Sequence, residues 1–107
     1  MPTKLESRFH AAMLDVYHRA KSEAGYNASR FLTMVSDQGG HEAARTLLHA
    51  ANVSDGYTAL WERKRLDLTV EAVILKPEWH DLFSEAERNI ARARLAAYGY
   101  DLDQLET

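Results

Sequence analysis

The sequence predicts an all-α fold: a compact bundle of about five to six helices, with a long N-terminal helix packed against the C-terminal helix. Three observations point there. Apolar residues recur at the i, i+3, i+4 rhythm near the N-terminus, where Leu5, Phe9, Ala12, Met13, Val16, Tyr17 and Ala20 share one face and Arg8, Asp15, Arg19 and Ser22 the other. Thr3 with Glu6, and Ser84 with Glu87, stand at capping-box spacing, which marks helix starts. Only one stretch, residues 69–74, is dense in β-branched residues; lacking a second strand-like segment to pair with, it reads as helix too.

Each element can be justified in chain order. The first helix opens with Pro2 and Thr3 and ends near Ala24, where Gly25 supplies a left-handed residue and Tyr26 folds back as its apolar partner. Asn27 is the expected cap of a second helix, with Ala28, Phe31, Leu32 and Val35 as its face and the Gly39-Gly40 pair as its end. A third runs over residues 41–51 on Ala44, Leu47, Leu48 and Ala51, and the turn-rich NVSDG closes it. Residues 57–64 make a short helix carrying Leu60 and Trp61. A second short helix begins at Asp67 or Thr69, ends at Leu75 and buries Val70, Val73 and Ile74. Pro77 opens a single helical turn, PEWHDLF. The last helix starts at Ser84 and stops at Gly99 and Tyr100.

With 107 residues, 46% hydrophobic and 27% charged, five Gly and two Pro, the chain reads as one globular domain over residues 1–107, with 99–107 as an acidic tail. The absence of cysteine excludes disulfides and thiolate metal sites. No apolar run reaches the about 18 residues of a membrane span. The N-terminus lacks the apolar core of a signal peptide, so a cytoplasmic location is expected. The net charge of −3 equals the contribution of Asp101, Asp103 and Glu106. The rest of the chain is neutral, without a globally basic footprint for nucleic acid.

The triplet Arg63, Lys64, Arg65 in WERKRLDLTVEAVIL raises a helix-turn-helix reading. A recognition helix must offer polar side chains to base edges, whereas TVEAVIL offers apolar ones and an outward Glu71 that phosphate would repel. The triplet is therefore expected at the solvated C-terminal end of a helix, where cations complement the negative pole, with Asp67 capping the next helix. Arg88 and Arg92 share a face at i, i+4. Arg94 falls at the margin of the apolar surface, its stem expected on the core and its head on a carboxylate such as Glu87.

The five histidines, at 10, 18, 41, 49 and 80, show no HxxxH or HExxH spacing, and the i, i+3 pair Asp15 and His18 is a weak signal, so no metal is expected. No cysteine nucleophile, serine elbow or phosphate-loop lysine is present, so neither a catalytic residue nor a cofactor is assigned. Trp61 and Trp79, with His80, admit two readings, since large aromatics build cores and also anchor interfaces.

Together SEAGYNASRFL, the Gly39-Gly40 break, DGYTALWERKRLDLTVEAVIL, PEWHDLF and ARARLAAYGY resemble a group of small, uncharacterised bacterial proteins, over nearly the whole chain and most specifically in RLDLTVEAVIL. The resemblance implies a bacterial origin and a stand-alone helical domain; it implies no activity, cofactor or site residue. The expected function is a non-catalytic adaptor or regulator acting through protein contacts, with Trp61, Arg63, Lys64, Arg65, Trp79, His80, Arg88 and Arg92 as candidate partner-binding residues. A homodimer is one form of this, motivated by Ala11 and Leu14 lying off the main apolar arc of the first helix. The alternative is a nucleic-acid-associated factor using Arg63, Lys64, Arg65, Arg88 and Arg92.

Overall fold

In the computed structural model, which describes residues 3–102, the chain forms α1 (Lys4–Ala24), α2 (Ser29–Gln38), α3 (Gly40–His49), α4 (Asp55–Glu62), α5 (Val70–Ile74) and α6 (Glu85–Ala97). Two 3-10 segments, Leu66–Leu68 and Pro77–Leu82, flank α5, and no strand occurs among the described residues. A radius of gyration of 12.7 Å matches a compact chain of this length.

Short polar side chains set most helix starts. Thr3 accepts the Glu6 N–H at 3.1 Å, Ser54 caps α4 and Thr69 caps α5. At α6 the capping box is complete: Ser84 Oγ accepts the Glu87 N–H, and Glu87 accepts the Ser84 N–H in return. Left-handed glycines follow the ends of α1 and α6. Gly25 (φ 67°) and Gly99 (φ 80°) turn the chain, and the Tyr100 N–H returns to the Leu95 carbonyl at 2.9 Å. Pro2, expected at the first helix start, lies outside the described residues, as do Asp103 and Glu106 of the acidic tail.

Two expected caps are corrected. Asn27 does not cap α2; its Oδ1 accepts from the Tyr17 hydroxyl at 2.9 Å, and the helix starts after Ala28 with no side-chain cap. Asp67 does not cap α5, because the intervening 3-10 segment moves the start to Thr69, whose Oγ1 accepts the Ala72 N–H at 3.2 Å.

The core gathers Phe9 and Met13 of α1, Val35, Ala43, Ala44 and Leu48 of α2 and α3, Ile74, and Ala91 and Leu95 of α6. The expected packing of the first helix on the last is also corrected. The main neighbours of α1 are α3, α2 and the Pro77–Leu82 segment, whereas α6 lies on α5 and α3. Small residues decide this. A Cβ at Gly40 would come within 2.7 Å of the His10 Cα, and the Gly40 N–H donates to His10 Nδ1 at 2.9 Å. With Ala43 and Ala44 also fully buried, α3 seats against α1 at a distance no larger side chain allows, and so stands between the first and last helices. Leu14, which motivated the homodimer expectation, is half-buried against this core.

Candidate functional site

The basic triplet closes α4. The Arg65 N–H returns to the Leu60 carbonyl at 2.8 Å and the Lys64 N–H to Trp61 at 3.0 Å, with Lys64 left-handed at φ 61°, the position usually held by glycine. Arg63 donates to the carbonyls of Ala24 and Ala59, both at 3.0 Å, and lies over the Tyr26 ring, tying together the ends of α1 and α4. Arg65 bonds Glu23 at 2.8 Å and Asp67 at 3.0 Å. Hydrogen bonds from Arg19 and then Arg65 hold the exposed Glu23 well below the usual carboxylate range.

The other candidate residues are dispersed. Arg88 donates to the carbonyls of His80 and Phe83, binding the Pro77–Leu82 segment to the start of α6, and Arg92 donates to Asn89. Trp79 is 4% exposed and packs edge-on against Phe9, so the core reading holds for it and it is out of a partner's reach. His80 is exposed. Trp61 is the one large hydrophobic exposed among the described residues, at 45%. Its ring stands edge-on to Tyr98 at 5.3 Å, and Tyr98 stands edge-on to the buried Tyr57 at 4.9 Å. Arg88 and Tyr98 are ten residues apart, about 15 Å along a helix. The eight candidates therefore form two groups, one beside Trp61 and one at the start of α6.

A buried polar layer lies between them. Glu71, expected to face outward, is 3% exposed. Its Oε2 accepts from Arg94 Nη1 at 3.1 Å, and Arg94 also donates to the carbonyls of Leu47 and Ala50 at 3.1 and 2.7 Å, capping the end of α3. The Arg94 side chain does pack inward with its head on a carboxylate, but that carboxylate is Glu71 and not Glu87. Seven residues of helix put Glu87 about 10 Å from it. Burial pushes the Glu71 carboxyl above its ordinary range despite the arginine. The Tyr57 hydroxyl is buried without a hydrogen-bond partner, and burial, then the Glu71 carboxylate, raise its pKa. An unmet buried hydroxyl costs about 1–3 kcal/mol.

Tyr57 and Glu71 line a cavity of about 480 Å³. Its walls come from the second half of α1 (Val16, Tyr17, Ala20), the start of α2 (Phe31, Met34), the start of α4 and residues 68–71. Neither Tyr57 nor Glu71 stands out by composition. The available signal was a lone carboxylate inside an apolar run, with an arginine at the edge of another helix's apolar face.

Glu87 is held differently. Its carboxylate accepts the Ser84 N–H, Arg45 Nε at 2.9 Å and His49 Nε2 at 2.8 Å. His10 accepts from Gly40, and His41 donates to the Leu82 carbonyl, so three of the five histidines serve contacts within the fold. Among the described residues no cluster of three His, Asp or Glu is placed to hold a metal, and no helix is long and apolar enough to cross a membrane. Comparison with family models, with curated proteins and with solved structures found no match.

Proposed function

We propose that the protein is a non-catalytic adaptor or regulator that binds another protein through the surface around Trp61. The observation that carries this reading is the 45% exposure of Trp61, with its ring held by Tyr98. A large aromatic fixed in one orientation loses little conformational entropy on binding, which suits it to anchor an interface. Lys64, two residues from the end of α4, adds an exposed cation beside it. The partner is accordingly a protein offering an apolar pocket with an acidic rim; the bacterial origin implied by the sequence resemblance names the host in which to look for it.

The nucleic-acid alternative draws on five basic residues, of which Arg63, Arg65 and Arg88 are engaged by carbonyls and carboxylates of the fold itself. It has correspondingly less support.

Affinity purification from the host, followed by measuring the affinity of the purified partner for wild type and Trp61→Ala, tests the proposal. Loss of a central aromatic anchor weakens binding by about thirtyfold or more, roughly 2 kcal/mol. A partner that binds both forms equally, at a site mapped away from α4, contradicts it. Sedimentation analysis of the purified protein separates a second copy from a different protein as that partner.

A further inference from the structure

The cavity bounded by α1, α2, α4 and residues 68–71 takes no wall from Trp61, so its occupancy is separate from the partner contact. The apolar interior divides at this cavity. Its walls draw Val16, Met34 and Val70 from the main core, and Ala20, Leu60 and Leu68 from a second, smaller cluster. Helix packing does not close the gap: α2 has α1 and α3 as its main neighbours, and α4 has residues 66–68. Protein interiors are close-packed, so a space of about 480 Å³ leaves the apolar side chains around it without contacts that an inserted apolar body would restore.

We propose that this cavity binds a small aromatic carboxylic acid, its ring system seated between the two apolar clusters and its carboxylate paired with Arg30. Size and wall chemistry select the body of the ligand. The volume lies in the range of small-molecule sites, and the rings of Tyr17, Tyr26 and Phe31, with the Met34 thioether, suit a flat aromatic partner. Charge selects its head group. Three charged residues line the cavity, Arg30, Asp55 and Glu71, and two of them are already compensated. Glu71 holds Arg94, and Asp55 lies in the first turn of α4, where the positive pole of that helix favours it. Arg30 is the third. It is exposed in the first turn of α2, where the helix pole repels a cation and no acidic residue offsets it. Among the described residues its side chain has no ion pair or hydrogen bond. A carboxylate reaching it gains a forked, charge-assisted pair and relieves that repulsion; a neutral ligand leaves Arg30 as it is, and a cationic one adds to the repulsion.

Calorimetric titration of the full chain at low salt with 2-naphthoate, its neutral isostere 2-naphthamide and the cationic 2-naphthylmethylammonium tests this, with amide NMR shifts locating the bound probe. The expected result is one-to-one binding of 2-naphthoate with Kd on the order of 10–100 µM. Its shifts should centre on the walls, residues 16–20, 28–34, 54–57 and 68–71. The amide should bind at least about fivefold more weakly, and the ammonium more weakly still. Arg30→Gln should bring naphthoate down to the affinity of the amide and leave the amide unchanged, whereas Lys76→Gln, which removes an exposed cation outside the walls, should change neither. Circular dichroism confirms that the variants are folded, and the wild-type shift map and naphthoate-to-naphthamide ratio decide the matter if Arg30→Gln is not. Absence of saturable 2-naphthoate binding below about 1 mM overturns the proposal. So do shifts centred elsewhere, an amide or ammonium that binds as tightly as the naphthoate, or a folded Arg30→Gln variant that binds naphthoate as the wild type does.

Discussion

Glu71 and Glu87 are both nearly closed to solvent, 3% and 5% exposed, but Glu71 sits far deeper among protein atoms, and their pKa values move in opposite directions. Burial raises both. At Glu87 the Ser84 backbone N–H, Arg45 and His49 outweigh it and hold the carboxyl at about 2. At Glu71 burial prevails over both its own backbone N–H and the Arg94 guanidinium, which also serves the carbonyls of Leu47 and Ala50. Depth and donors together therefore set the direction: the deeper acid, with fewer donors, is raised, and the shallower one, held by Ser84, Arg45 and His49, is lowered. Each region also keeps one buried polar atom without a partner, Arg88 Nε at the start of α6 and the Tyr57 hydroxyl near the Glu71 layer.

The sharpest way to break this contrast is to remove the cation from each carboxylate. Arg94→Ala strands a buried carboxylate and uncaps α3, and should cost about 3–5 kcal/mol in denaturant unfolding. Arg45→Ala, whose side chain is 43% exposed, should cost about 1 kcal/mol or less, since His49 and Ser84 remain on Glu87. Equal costs would show that the two sites do not differ. The apolar crossing of α1 and α3 gives a scale free of charge: Gly40→Ala pushes a methyl against the His10 backbone and should cost about 1–3 kcal/mol.

The pH dependence sharpens the comparison further. Glu87 has a folded pKa below its ordinary 4.5, so its contribution is present above pH 4.5 and is lost as pH falls toward 2. With Arg45 and His49 half exposed, the loss is about 1–2 kcal/mol after solvent screening, and Glu87→Gln should flatten this part of the acid limb. Glu71 acts with the opposite sign: its raised pKa favours the fold at low pH, and that contribution fades as pH rises through its folded value. The smallest effect is expected at neither acid. Lys64→Gly relieves a left-handed lysine and should stabilise the fold by about 0.5–1 kcal/mol.

Local chemistry made much of the fold legible in the sequence. Thr3, Ser84 with Glu87, Gly25 and Gly99 act where their spacing placed them. Helix pairing was not legible, because periodicity gives each helix a face but not the neighbour that fits it. The choice of α3 over α6 as the neighbour of α1 rests above all on Gly40, whose smallness matters only against His10 and Met13. Asn27 and Asp67 looked like caps, but Asn27 is claimed by Tyr17 of α1, and Asp67 lies in a 3-10 segment and pairs with Arg65 two residues before it. At the site, Arg94 was conspicuous but its carboxylate was assigned to the wrong helix. The unmet hydroxyl of Tyr57 had no sequence signal at all, since lacking a partner is a property of the packed molecule.

A carboxyl-carbon NMR titration that follows Glu71 and Glu87 in the same sample tests most directly the claim that these two acids are displaced in opposite directions. Glu87 is predicted to titrate near 2 and Glu71 above 4.5. A Glu71 resonance that titrates at or below 4.5, together with Glu87, would contradict it.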